Sequence, residues 1–136
     1  MSEENVEIVR QVYDAWNRDD IQWVMDHSTP DSEFWPNPGL PDMESVYRGQ
    51  SEFMKWWRLW RPTWESLHFE ITRIEDFGEC LLCQIAIKAR GRGSGIDVNH
   101  ERVHLFDFTE GQISRVRSFA AWDEALEAAG LSESDT

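Results

Sequence analysis

"IDVNHERVHLFDF", residues 96–108, decides the fold, because the same letters suit two backbones with different chemistry. Within it "HERVH" (100–104) matches the zinc-protease pattern H-E-x-x-H, which works only on a helix. There, residues four apart share a face about 6 Å apart at Cβ, so two imidazoles can grip one ion while the Glu between them activates a water. The neighbours favour a strand. Val103 and Leu105 fall on one parity, Phe106 and Phe108 on the other, and the stretch lies between the Gly-containing turns "GRGSG" (91–95) and "TEGQ" (109–112). At about 3.3 Å per residue, His100 and His104 then stand roughly 13 Å apart at Cα, too far for two Zn–N bonds of about 2.1 Å. Glu101 points to the opposite face. A zinc site would also need a third ligand, from Glu124 or Glu127, and no metal is expected. The strand instead puts His100, Arg102, His104, Phe106 and Phe108 on one face, which, if concave, carries two imidazoles and a guanidinium into an aromatic-lined cavity.

Outward from this strand the period stays at two. Leu67, Phe69 and Ile71 alternate with polar neighbours, as do Leu81, Cys83, Ile85 and Ile87, and "ISRVRSF" (113–119) closes a meander of four long antiparallel strands. Towards the N-terminus the period becomes helical. Ser2 can cap a helix carrying Val9, Val12, Tyr13 and Trp16, and after the polar "NRDD" (17–20) Asp20 can cap a short one with Ile21, Val24 and Met25. Residues 30–46 allow a short strand around Glu33 to Trp35, then a loop bordering a pocket, because Pro36, Pro38 and Pro41 forbid regular pairing. Ser51 can cap a third helix with Phe53, Trp56, Trp57 and Trp60 on one stripe, ended by Pro62. Asp123 can cap a last short helix that Gly130 terminates. The order predicts one α+β domain over 1–136, its helices covering one face of an antiparallel sheet.

Composition limits the partners. A formal charge of -13 on 136 residues argues against phosphate backbones and anionic membranes, whose binding begins with clustered Lys and Arg. No run of 18 apolar residues occurs, and "SEENVEIV" at the start has no basic n-region, so a cytoplasmic location is expected. "CLLC" (80–83) has metal or redox spacing, but on a strand its two thiols point to opposite faces, which predicts two small sheet residues rather than a site. Eight Trp in so short a chain must line something.

Five stretches, "ENVEIVRQVYDAWNRDDI" (4–21), "VYRGQSEFMKWW" (46–57), "ARGRGSG" (89–95), "FTEGQISRVRSF" (108–119) and "EALEAAGL" (124–131), resemble the SnoaL-like branch of the NTF2-like superfamily over nearly the whole chain. That group includes ketosteroid isomerase, polyketide cyclases, limonene epoxide hydrolase and scytalone dehydratase. The resemblance implies a cone in which a strongly curved antiparallel sheet wraps the N-terminal helices, a pocket opens between them, and homodimers form through the sheet. It also implies cofactor-free acid–base chemistry on small hydrophobic molecules. The isomerase's oxyanion-hole Tyr would fall on Val12, its strand Asp on His104, and its base on Pro36 or Asn37. The last-strand Asp of the hydrolase and cyclases would fall on Ser118 or Ala120.

Taken together, the expected protein holds a small hydrophobic molecule in an aromatic pocket and carries out isomerase-, cyclase- or dehydratase-type proton transfer. His104 would be general acid or base, and Arg102 would steady a developing enolate or carboxylate. Trp16, Trp35, Phe53 and Trp57 would wall the pocket, with His100, Phe106 and Ser118 beside them. The alternative is a non-catalytic ligand-binding or dimerisation module of the same fold.

Overall fold

Residues 97–109 form a strand. The computed structural model, which describes residues 2–36 and 46–135, orders the chain as follows. Helices α1 (Ser2–Asn17) and α2 (Ile21–Asp26) lead to strand β1 (Ser28–Trp35). After the short β2 (Tyr47–Arg48) and helix α3 (Gln50–Trp60) come β3 (Trp64–Asp76), β4 (Cys80–Gly91), β5 (Asp97–Thr109) and β6 (Gln112–Phe119). Helix α4 (Trp122–Ala128) follows.

The strands make one curled, unclosed sheet in the order β2-β1-β6-β5-β4-β3. The expected four-strand meander is present, but the sheet is mixed rather than purely antiparallel, because β1 runs parallel to β6. Alternating hydrophobicity fixes which face a residue takes and carries no strand direction. The β1–β6 pair is joined through α3 and the whole meander, so no hairpin turn constrains it.

Helix starts follow local chemistry, with shifts. Asp20 caps α2 as expected, accepting from the Trp23 N–H at 3.2 Å. Helix α3 begins one residue before the expected cap, with Gly49 at φ 84° in the capping position. Gln50 then donates to the carbonyls of Met25, Ser28 and Thr29, tying α3 to the α2–β1 corner. At the start of α4 the cap is Ala121 instead of Asp123, whose carboxylate accepts from the N–H of Glu124. Of Ser2, the expected cap, only the backbone is described, as the first residue of α1, and the loop prolines Pro38 and Pro41 lie outside the described residues, as does Asn37.

Two apolar clusters sit on opposite sides of β4 and β5. Helices α1 and α3 bury Val9, Val12, Tyr13, Trp16 and Trp57 against the inner face, with Cys83, Ile85 and Phe106. On the outer side α4 covers Leu82, Val103 and Leu105. Cys83 faces the first cluster and Cys80 borders the second, both as free thiols, as strand spacing requires. None of the described helices is long and apolar enough to cross a membrane.

Because β3 is an edge strand, its Phe69 backbone groups pointing away from β4 would lack sheet partners. Asn17 at the end of α1 supplies them: its Oδ1 accepts from the Phe69 N–H at 2.7 Å and its Nδ2 donates to the Phe69 carbonyl at 3.0 Å. Truncation would strand two part-buried backbone groups, at about 1–3 kcal/mol. Asn17→Ala is therefore expected to lower the unfolding free energy by that amount, read as a lower urea midpoint at unchanged slope, while Asn17→Asp, which keeps only the acceptor, falls between; an unchanged midpoint would rule out the clamp.

Candidate functional site

Strand β5 sets His100, Arg102 and His104 on alternate positions of the inner face. Their cross-strand neighbours are Ile87 opposite His100, Ile85 opposite Arg102, and both Cys83 and Ser118 opposite His104. The Arg102 Nε donates to the Ser118 hydroxyl at 2.9 Å. Arg102 and His104 are buried, whereas His100 is exposed towards the strand's beginning.

Beneath them, the Tyr13 hydroxyl of α1 lies 2.6 Å from His104 Nδ1. Burial, and then neighbouring Cys83, raises the Tyr13 pKa well above its ordinary value. Burial, and then the Arg102 charge, lowers that of His104 to about 3. Both groups are neutral at pH 7. The phenol can give its proton to an imidazole lone pair or towards the Cys83 thiol, a weak acceptor, so the strong arrangement is O–H to Nδ1. The ring's own proton then sits on Nε2, and His104 offers the cavity a donor.

That cavity has a volume of about 250 Å³, close to the lower end of pockets that hold small organic ligands. Trp16 of α1 and Trp56, Trp57 and Trp60 of α3 form one wall, with Trp64 at the start of β3 and Phe34 at the end of β1. Phe69, Ile87 and Pro36 complete the apolar lining, and His100, Arg102, His104 and Ser118 make its polar end. Five of the eight tryptophans are thereby accounted for. Their order is fixed by contact: Trp16 stacks on Trp57 with centroids 6.1 Å apart, Trp56 on Trp60 at 5.0 Å, and the Trp57 N–H donates to Asp19 at 2.7 Å. Among the described residues the buried indole N–H groups of Trp16, Trp56 and Trp64 have no partner.

Six residues singled out from the sequence meet here: Trp16, Trp57, His100, Arg102, His104 and Ser118. Three are placed elsewhere. Phe53 lies one layer behind, stacked on Trp16 and edge-on to Phe34. Phe106 is fully buried beneath the cavity, edge-on to Tyr13. Trp35 turns away, its N–H bonded to Glu33 at 3.0 Å, because β1 alternates in the phase that sends Phe34 inward. The family comparison from sequence put the helix tyrosine at Val12, yet Tyr13 is the residue against His104, one position later. Tyr13, Phe69 and Ile87 all carried the apolar periodicity of their elements, which marks a core face without saying that it borders an opening.

On its strand Glu101 faces outward, within 3.4 Å of Gln84. Among the described residues no group of three or more His, Cys, Asp and Glu side chains could hold a metal ion.

The model of the SnoaL-like domain family matches residues 9–116. Comparison with curated proteins finds no match. An NTF2-like protein of unknown function from Burkholderia pseudomallei superposes with a TM-score of 0.80 at 17% identity, covering 96% of this chain and 98% of that one. TerC, crystallised with polyporic acid, gives 0.78 at 13% identity over 87% and 92%. A Catenulispora acidiphila protein of ketosteroid isomerase-like fold, in complex with trimethylamine, gives 0.73 at 15% identity over 92% and 93%. At such identities these likenesses establish the fold.

The depressed His104 pKa has a consequence for stability. The unfolded chain takes up this proton near pH 6.5, while the folded one resists to about 3, so between those values the unfolded state binds more protons. His104 thus adds stability that is complete above pH 6.5 and lost as pH falls towards 3, on the order of 5 kcal/mol in full. Urea midpoints of the native protein are expected to drop between pH 7.5 and 4.5 more steeply than those of His104→Gln; parallel slopes would mean that His104 ionises in the folded state as it does in water.

Proposed function

The chain belongs to the SnoaL-like domain family, and on that premise we propose that it holds a small, largely aromatic molecule in the cavity and moves a proton on it beside an oxygen bound by His104. The observation that carries this reading is the neutral imidazole of His104, clamped from behind by Tyr13, at the polar end of a ring-lined cavity. A carbonyl oxygen at Nε2–H would gain charge as the neighbouring carbon loses a proton, and the donor and the Arg102 charge would both bind the enolate more strongly than the ketone. With a pKa of about 3, His104 itself is a poor proton acceptor. The base in this reading is His100, at the open end of the same lining, kept neutral by partial burial and then by Arg102. It takes the proton from carbon and returns it to the enolate at the same or a conjugated position, so no cofactor is consumed.

The small molecules found with two fold relatives, polyporic acid with TerC and trimethylamine with the Catenulispora protein, support a small-molecule pocket in this architecture. A homodimer through the sheet belongs to the same reading. A binding module without turnover is favoured by one observation: among the described residues lining the cavity there is no carboxylate base.

2-Tetralone, an aromatic ketone with exchangeable α-protons, separates the two. In D₂O the native protein is expected to accelerate loss of its α-proton signals over buffer. His104→Phe is expected to slow the exchange by about 10²–10³-fold through loss of the oxyanion donor, and His100→Ala by about 10²–10⁴-fold through loss of the base. Saturable binding with exchange at the buffer rate would establish the binding module, and absence of binding would sink both readings.

A further inference from the structure

Arg102 is a desolvated cation whose compensation is incomplete. Its relative exposure is 9%, and its one side-chain hydrogen bond among the described residues goes to a neutral hydroxyl, Ser118 Oγ, from Nε. No carboxylate lies within ion-pair distance of it among those residues; Glu124 on α4 attracts it electrostatically from an exposed position. A guanidinium stays charged at any physiological pH, and burying such a charge without an anion is costly unless a partner arrives. The rest of the polar end has the same character. His104 presents an N–H, Ser118 already accepts from Arg102, and the described lining contains no Asp or Glu. A protein of formal charge -13 thus keeps a cationic, donor-rich end on an otherwise apolar cavity.

We infer that the ligand of this cavity is an aromatic anion, a planar ring system carrying a carboxylate or similarly delocalised oxyanion that sits between Arg102 and His104. The two residues are i and i+2 on one strand, roughly 7 Å apart at Cα, a spacing that lets one oxyanion group bridge the guanidinium and the imidazole N–H. An Arg fork suits the paired oxygens of a carboxylate, and the indole walls suit the ring. At long range the net negative charge of the protein opposes an anion's approach. The preference must therefore come from the local pair, which salt at physiological strength leaves largely unscreened because it is buried. The inference rests on the proposed cavity reading: the bound oxyanion takes the seat that the enolate oxygen takes there, which narrows the ligand to one charge class.

The test uses two isosteric probes, 2-naphthoate and neutral 2-naphthamide, with quenching of tryptophan fluorescence and calorimetry at 150 mM salt as readouts. The native protein is expected to bind naphthoate at least tenfold more tightly than naphthamide. In Arg102→Gln, which keeps hydrogen-bonding capacity and loses the charge, the two affinities are expected to converge on that of naphthamide. Equal binding of both probes by the native protein would overturn the inference while leaving the aromatic cavity in place. A naphthoate preference that survives in Arg102→Gln would seat the anion elsewhere and overturn it too. If neither probe binds up to millimolar concentration, the cavity reading fails and takes the inference with it.

Discussion

The hydrogen bond between Tyr13 and His104 joins the first helix to a central strand inside the core, and the rest of the site depends on it. Two buried polar groups that would each be costly alone satisfy one another, and in doing so they fix how far α1 slides along β5. One turn further along α1, Trp16 then falls over the inner face and stacks on Trp57, and Asn17 reaches the open edge of β3 at Phe69. The same bond consumes the Nδ1 lone pair. A histidine that would titrate near neutrality in water is held neutral down to about pH 3 by burial and then by the Arg102 charge, and the Tyr13 bond sets its tautomer, so one contact fixes both helix position and which ring nitrogen donates.

Packing and polarity divide the remaining work. The aromatic rings of α1 and α3 bury most of their surface against each other and the sheet, so the cavity walls are packed into the core itself. Asp19, at φ 59°, accepts the Trp57 N–H and keeps that ring facing inward from the turn after α1. Against this apolar body the polar end is small, and its few groups act strongly because little water competes with them.

Much of the fold was legible in the sequence because its periods are strong. Two-residue alternation from Leu67 to Phe119 marked the four-strand meander, and the stripe Phe53, Trp56, Trp57, Trp60 marked α3. The parallel pairing of β1 with β6 was not legible, since alternation is blind to direction. For the site, reading "HERVH" as a strand placed His100, Arg102 and His104 together on one face, which the structure shares. Trp35 was misplaced by one residue: β1 contains Pro30, is followed by Pro36 and shifts register between Ser28 and Glu33, so local alternation does not fix its phase, and Phe34 took the inward position. Tyr13 was visible as a core residue of α1 but not as the partner of His104, because a contact across 91 positions leaves no local trace.

The central claim is that His104 is neutral in the folded protein, with its proton on Nε2 and its Nδ1 lone pair held by Tyr13. Long-range ¹H–¹⁵N correlation of the His104 ring between pH 7 and pH 4.5 tests it directly. The account predicts a protonated Nε2 and an unprotonated, hydrogen-bonded Nδ1 throughout that range. A proton on Nδ1 at pH 7, or a doubly protonated ring by pH 5.5, would contradict it.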